Sequence, residues 1–251
     1  VVQVITIYNQ SGGVMKTSLT MNLGYHLAQH TRKVLLIDMD PQASLTIFMG
    51  LEPSDLEQTV AESILNEAPL MIHRGIYGMD LLPSNIMLSA AEMQLTSVMA
   101  REWRLKRALE PILDDYDFIL IDSPPSLGIL SVLSLVASSY VLVPIQTQYK
   151  SYKGTELLLD SVRQVQDYVN PDLKIAGIVP TIYAASNAQD KAILGAIQEQ
   201  LAKITQIYPP IPRATAFADA SMEHQPLAVH SPSHAAVKVL ESIAKSMEKL
   251  K

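Results

Sequence analysis

The first 20 residues, VVQVITIYNQSGGVMKTSLT, constrain the fold more than any other stretch of the chain. A run of β-branched apolar residues passes through a glycine pair into a helical pattern opened by Lys16 and Thr17. That strand–loop–helix order is the context in which a glycine-rich loop holds phosphate. Gly12 and Gly13 let backbone N–H groups approach an anion, and the helix N-terminus adds its positive dipole end. Lys16 reaches toward β- and γ-phosphates, and Thr17 offers a hydroxyl to Mg²⁺. A glycine turn that merely starts a helix has the same local pattern, so the loop alone leaves both readings open.

The rest of the chain repeats the alternation. VLLID, DFILID, YVLVPI and KIAGIVPTI read as buried strands beside VVQVITI. Lys16 to His30, Leu88 to Leu109, Tyr152 to Val169, Asn187 to Leu201 and Ser233 to Leu250 carry apolar residues at helical spacing. IYPPIPRATAF, punctuated by prolines, reads as a strand running into an ordered loop. With 251 residues, 48% of them hydrophobic, the chain can bury one full core. The expected fold is α/β: residues 1–251 as one doubly wound domain, a mostly parallel sheet flanked by helices, of the P-loop NTPase type.

Two of the strands end in carboxylates. IDMDPQ places Asp38 and Asp40 at one strand terminus, and ILIDSPP places Asp122 at another. An apolar strand terminating in Asp is the Walker B arrangement, whose carboxylate holds Mg²⁺ through water. One such Asp is compatible with a solvated strand end; two, downstream of the glycine loop and in this order, argue for a metal–nucleotide site. Thr17 and Asp122 are then the metal side chains, Asp40 orients the attacking water, and Asp38 supports the metal shell or that water through a hydrogen bond.

Composition removes other classes. Zero cysteines exclude thiolate metal sites, thiol nucleophiles and iron–sulfur ligands, and with them an iron-protein-like reductase or cluster carrier. A net charge of −6 argues against bulk attraction to nucleic acid, so DNA contact requires a local patch. No basic segment followed by an apolar run opens the sequence, and no apolar stretch approaches the roughly 18 residues of a membrane span. A cytoplasmic protein is expected.

NQSGGVMKTSLTMNLGYHLA, VLLIDMDPQASLT, FILIDSPPSLG, VLVPIQ and PPIPRATAFADAS together resemble the deviant-Walker-A ATPases of the ParA and MinD type, which position plasmids, chromosomes and large assemblies. The resemblance runs from residue 1 to the last helix. It implies ATP and Mg²⁺ held by the loop Ser11, Gly12, Gly13, Val14, Met15, Lys16, Thr17 and Ser18. It further implies an ATP-sandwich homodimer, nonspecific DNA binding that makes the ATP form nucleoid-associated, and hydrolysis stimulated by an adaptor protein. Backbone groups around Pro212 and Arg213 would read adenine, and no Asn-Lys-x-Asp guanine motif is present.

The chain departs from that pattern at its most diagnostic position. Ser11 stands where the family carries a signature lysine that crosses to the partner's nucleotide. The McdA proteins, which distribute carboxysomes with an McdB adaptor, are similar in lacking that lysine. Apposed triphosphates need a cation from each subunit, and a serine hydroxyl supplies none. QTQYKSYKG offers Lys150 and Lys153; Lys150 is favoured because it is expected to precede the helix that Lys153 opens, and the alternative for both is a solvated surface charge. Met15 is expected in right-handed helical geometry, leaving unusual backbone angles to the two glycines.

For DNA the available charges are Lys191, Lys203, Arg213, Lys238, Lys245 and Lys249, with Ala216 where several family members carry a second arginine. The competing reading of these residues is a solvated face. Besides carboxysome distribution, plasmid or chromosome partition and a membrane-cycling MinD-like role are the alternatives. The last of these would use the apolar stripe Val237, Leu240, Ile243, Ala244, Met247 and Leu250, but that stripe lacks aromatic anchors, and no stable membrane association is expected.

Overall fold

In the computed structural model, residues 2–250 are described. The strands are β1 (Gln3–Ile7), β2 (Val34–Asp38), β3 (His73–Ile76), β4 (Met79–Leu82), β5 (Phe118–Asp122), β6 (Tyr140–Gln146) and β7 (Lys174–Thr181). They form one seven-stranded sheet in the order β3-β4-β2-β5-β1-β6-β7. Every pairing is parallel except β3 with β4, a hairpin at one edge. Strand order reverses around β1, and in such sheets ligands sit outside the carboxyl ends of the strands at that point.

The helices are α1 (Lys16–Gln29), α2 (Ser44–Phe48), α3 (Val60–Asn66), α4 (Met87–Leu95), α5 (Arg104–Leu109), α6 (Ile129–Ala137), α7 (Tyr149–Lys153), α8 (Thr155–Tyr168), α9 (Ala188–Leu201), α10 (Ala216–Met222), α11 (Leu227–His230) and α12 (Ala235–Met247). Alternate residues of each strand face opposite layers, as the pleat requires. Ile5, Leu36 and Leu120 join α1 and α12 on one face, and Val4, Leu35 and Ile119 join α3 to α6 on the other. A third cluster packs β6 and β7 against α8 and α9. Gly24 is where α1 comes nearest the sheet: a Cβ there would lie 2.7 Å from Leu36 Cδ2.

Several boundaries differ from expectation. The helix expected over Leu88 to Leu109 is interrupted, since Ala100 takes a left-handed φ of 52° and a short 3₁₀ turn, Arg101–Trp103, restarts the chain as α5. IYPPIPRATAF forms two isolated bridges, Ile178 with Ile207 and Tyr183 with Pro212, in place of a strand, because its prolines remove ladder donors. The apolar stripe of α12 faces α1: Leu240, Ile243, Ala244 and Met247 are fully buried. No helix among the described residues is long and apolar enough to cross a membrane.

Candidate nucleotide-binding site

The loop after β1 is clamped from both sides. Asn9 donates to Pro144 O at 2.6 Å on β6 and accepts from Ser11 N–H at 2.8 Å. Thr181, the last residue of β7, donates to Val14 O at 3.2 Å. Neither Asn9 nor Thr181 carries a sequence signal, since their roles depend on which strands flank β1. Lys16, only 7% exposed, folds back across the loop and donates to Ser11 O at 2.9 Å. Burial pulls its pKa down while Asp122 and Asp40 oppose that shift.

Met15 corrects one expectation. It sits in left-handed geometry at φ 71° and ψ 24°, as the residue before α1, and Gly13 shares the φ of 71° whereas Gly12 does not have a positive φ. A side chain in that region costs about 1–2 kcal/mol. The thioether packs against the core on the α1 side and lines the cleft over the loop.

Behind the loop, Thr17 donates to Asp122 Oδ2 at 2.6 Å. Asp122 is 1% exposed, and its Oδ1 is buried without a hydrogen-bond partner. Asp38 and Asp122 are register partners on adjacent parallel strands. Burial, and then Asp38, push Asp122 well above the ordinary carboxylate range, and burial raises Asp38 to about 6. An unpaired carboxylate oxygen beside a threonine hydroxyl, with a second acidic group across the sheet, fits a hydrated divalent cation, which would return both groups to the ionised form.

That arrangement fixes the sign of a pH effect. Because the folded-state values of Asp38 and Asp122 lie above their ordinary ones, the stability these two groups contribute to the nucleotide-free protein is present at low pH and is lost as pH rises, for Asp38 between about 4 and about 6. Mg²⁺–nucleotide binding near pH 6 is therefore expected to release protons and to tighten between pH 5 and 7. Calorimetry in buffers of different ionisation enthalpy measures the release; pH-independent affinity without proton release would mean that the carboxylates are already charged.

Asp38 itself anchors the loop after β2. Its Oδ1 accepts from Asp40 N–H at 3.1 Å, and its Oδ2 accepts from Thr46 N–H at 2.9 Å and Thr46 Oγ1 at 2.8 Å. Ser84, just past β4, donates N–H to Thr46 Oγ1 and its hydroxyl to Asp40 O, both at 2.9 Å. This network holds Asp40 at the phosphate cleft with Gly12, Gly13, Lys16 and Thr17. Thr46 and Ser84 carry no signal in the sequence because their partners, the Asp38 carboxylate for Thr46 and Thr46 Oγ1 with Asp40 O for Ser84, lie on other elements.

Pro212 and Arg213 line a cavity of about 550 Å³ with Met15, Ser18, Phe48 and Phe217. Met15, Ser18 and Phe48 also border the phosphate cleft, so the two spaces adjoin. Arg213 N–H donates to Tyr183 O at 2.9 Å, fixing this segment beside the end of β7. A planar apolar group held between Phe48 and the Pro212 segment, with phosphates over the loop, fits this shape.

Lys150 and Lys153 both lie on α7, contrary to the expectation that Lys150 precedes the helix. The helix starts at Tyr149 because Gln148 is the last extended residue, and Gly154 in right-handed helical geometry joins α7 to α8. Both are exposed, and Lys153 Nζ stands 5.8 Å over the Tyr149 ring. Of the basic residues weighed for DNA, Lys238, Lys245 and Lys249 share one cleft on and after α12, where Lys245 pairs with Glu241 at 2.5 Å. Lys191 lies on α9 and Lys203 just beyond it, and Arg213 belongs to the cavity at the loop.

The AAA domain family AAA_31 matches residues 2–175. The chain belongs to that family. It is a ParA/MinD-family ATPase. The chromosome partitioning protein ParA of Myxococcus xanthus is 38% identical over 184 residues, covering 72% of this chain and 65% of that protein. A Mycobacterium smegmatis structure described as cobyrinic acid a,c-diamide synthase, with bound ADP and magnesium, superposes at TM-score 0.87 with 33% identity, covering 98% of this chain and 93% of that one. An ATP complex of a Cyanothece McdA variant superposes at TM-score 0.89 with 25% identity, covering 100% and 98%. Homologous structures of this fold thus hold ATP or ADP, one of them with magnesium.

Proposed function

We propose that the chain is a Mg²⁺-dependent ATPase that closes into an ATP-sandwich homodimer, binds DNA nonspecifically in that form, and is released when an adaptor protein stimulates hydrolysis. The observation that carries this reading is the pairing of Thr17 with Asp122, whose second oxygen is buried and unpaired, beside a lysine folded over the glycine loop. Magnesium, when bound, neutralises phosphate charge and orders the oxygens around it. Lys16 exchanges its bond to Ser11 O for the β- and γ-phosphates, and the loop N–H groups face the same anions. Thr17 and Asp122 serve the metal, Asp38 acts through water and by holding the Asp40 loop, and backbone groups at Pro212 and Arg213 meet the adenine. Asp40 accepts a hydrogen bond from the attacking water, whose oxygen bonds to the γ-phosphorus as the bond to ADP breaks, giving ADP and phosphate. Phosphate release that requires both ATP and Mg²⁺, with dimer on a sizing column in ATP alone, tests the reading; monomer under all conditions would overturn the sandwich.

Lys150 supplies the charge that Ser11 lacks. It is exposed on the short helix after β6, with no ion pair among the described residues, whereas Lys153 rests on Tyr149. Lys150→Ala is expected to weaken ATP-dependent dimerisation and turnover while leaving nucleotide binding by the monomer nearly intact, and Ser11→Lys to restore part of the loss. Wild-type dimerisation and turnover in both Lys150→Ala and Lys153→Ala would assign neutralisation to another group.

DNA contact is assigned to the Lys238, Lys245 and Lys249 cleft, doubled by dimerisation and weakened by salt. Carboxysome distribution, with an McdB-like adaptor and a nucleoid-associated ATP state, is supported by Ser11 in place of the lysine and by the likeness to McdA. Plasmid or chromosome partition is the second reading, favoured by the higher identity to Myxococcus ParA. Deleting the gene separates them: clustered carboxysomes support the first, and loss of plasmid or chromosome inheritance the second.

A further inference from the structure

A second cleft lies at the other edge of the sheet, away from the phosphate loop. It encloses about 800 Å³ between α3, α5 and the segment leading into β3, and shares no lining residue with the nucleotide cavities. Leu70, Met71, Ile72 and Ile112 make its wall apolar, and Met71 is 52% exposed. Arg74, Arg104 and Arg107 add three cations against one lining carboxylate, Glu67, on a chain whose overall charge is −6.

Arg104 is the informative residue. Its side chain is only 18% exposed, and its Nε is sealed from solvent with no hydrogen-bond partner. Its one carboxylate contact among the described residues is Glu67 at 2.6 Å, and Glu67 is itself 69% exposed at the end of α3. The sealed Nε of Arg104 is out of reach from outside, so a carboxylate arriving there meets the outer guanidinium nitrogens, in competition with the exposed Glu67 for Nη1. Arg107 is exposed without an ion pair among the described residues, and Arg74 stands 3.6 Å from an Asp80 oxygen that also accepts from the Tyr116 hydroxyl.

The cleft also borders the last strand of the sheet. β3 pairs only with β4, so its outer edge has no neighbouring strand among the described residues. An unpaired edge offers backbone groups to an extended segment, with alternate side chains directed at the surface beside it. We infer that this cleft docks an extended peptide segment of another protein, in which acidic side chains meet Arg104 and Arg107 and an intervening apolar side chain enters the Leu70–Ile112 wall. This inference is independent of the ATPase reading, because the two sites share no residue.

The test uses the full chain and a displayed library of random twelve-residue peptides, selected on wild type alone and eluted from the cleft by excess of the first recovered binder. Recovered peptides are expected to interleave Asp or Glu with Leu, Ile, Val or Phe. Their affinity, measured by fluorescence anisotropy, is expected to fall at least about tenfold in the Arg104→Gln/Arg107→Glu double variant and in the exposed-site variant Arg107→Glu alone. Glu67→Gln is expected to tighten binding, and nucleotide affinity to stay unchanged in all variants, which shows that they remain folded. Selection that yields no charge bias, or peptides indifferent to the arginines, would overturn the proposal. Displacement of the peptides by dodecanoate or by duplex DNA, at concentrations where each binds wild type but not the double variant, would reassign the cleft to a small amphiphilic carboxylate or to nucleic acid and overturn it equally.

Discussion

Lys16→Ala is expected to weaken Mg²⁺–ATP binding at least about tenfold, equivalent to about 1.4 kcal/mol or more. Lys16 is the only cation in the phosphate loop and is 7% exposed, so the contact with phosphate proposed for it would be made largely out of water. Hydrogen bonds to charged groups contribute about 1.5–3 kcal/mol, more than neutral ones, because the alternative partner is bulk solvent. Removing the ammonium also strips Asp122 of a countercharge that opposes its upward shift, so Asp122 holds its proton more tightly and becomes a poorer carboxylate for Mg²⁺. Titration with a fluorescent ATP analogue measures the loss. Unchanged affinity in a variant that melts like wild type would place the nucleotide elsewhere.

Asp40→Ala is expected to do the opposite to occupancy. Turnover falls by about 10²–10⁴, the range for removing a positioned general base, while ATP stays bound and the dimer accumulates. The geometry favours a clean outcome, because the Asp40 side chain gives the loop one hydrogen bond, accepting from Gln42 N–H at 2.9 Å, and the other bonds are made by the Asp40 backbone. Its N–H goes to Asp38 at 3.1 Å, and its carbonyl accepts from Ser84 Oγ and Ala43 N–H, both at 2.9 Å. The loop therefore keeps its course when the carboxylate is lost. Single-turnover phosphate release and sizing in ATP read the two effects separately; a variant that loses ATP as readily as Lys16→Ala would show that Asp40 binds the phosphates instead of orienting water.

The two variants differ in how far their environments could be read in advance. Lys16, Thr17 and Asp122 are visible in the sequence because each closes or opens an element: a helix begins at Lys16, and apolar strands end at Asp38 and Asp122. Those signals are local, carried by period-2 and period-3.6 spacing over a few residues. The same spacing located β1, β2, β5, β6 and β7, whose apolar runs are continuous because helices cover both faces of a parallel sheet. β3 and β4 escaped because each has only four residues and HRGI carries no apolar run.

What the tertiary structure decided is everything that depends on residues distant in the chain meeting at one edge. Thr46 is an unremarkable polar residue until the loop after β2 folds back to Asp38, Ser84 until parallel pairing of β2 with β4 brings it to Thr46 and the Asp40 carbonyl, and Asn9 is a strand-end asparagine until β6 lies beside it. Met15 was expected to be helical because αL geometry is costly for any side chain, yet Thr181 and the Lys16–Ser11 bond fix the loop on either side of it and leave that conformation as the path that joins them. The sequence alone specifies strands, helices and the chemistry of the loop, since these follow from neighbours within one or two turns. Register between strands, the carboxylate pair it creates and the burial that shifts their protonation arise only when the sheet closes, because proximity and desolvation belong to no segment by itself.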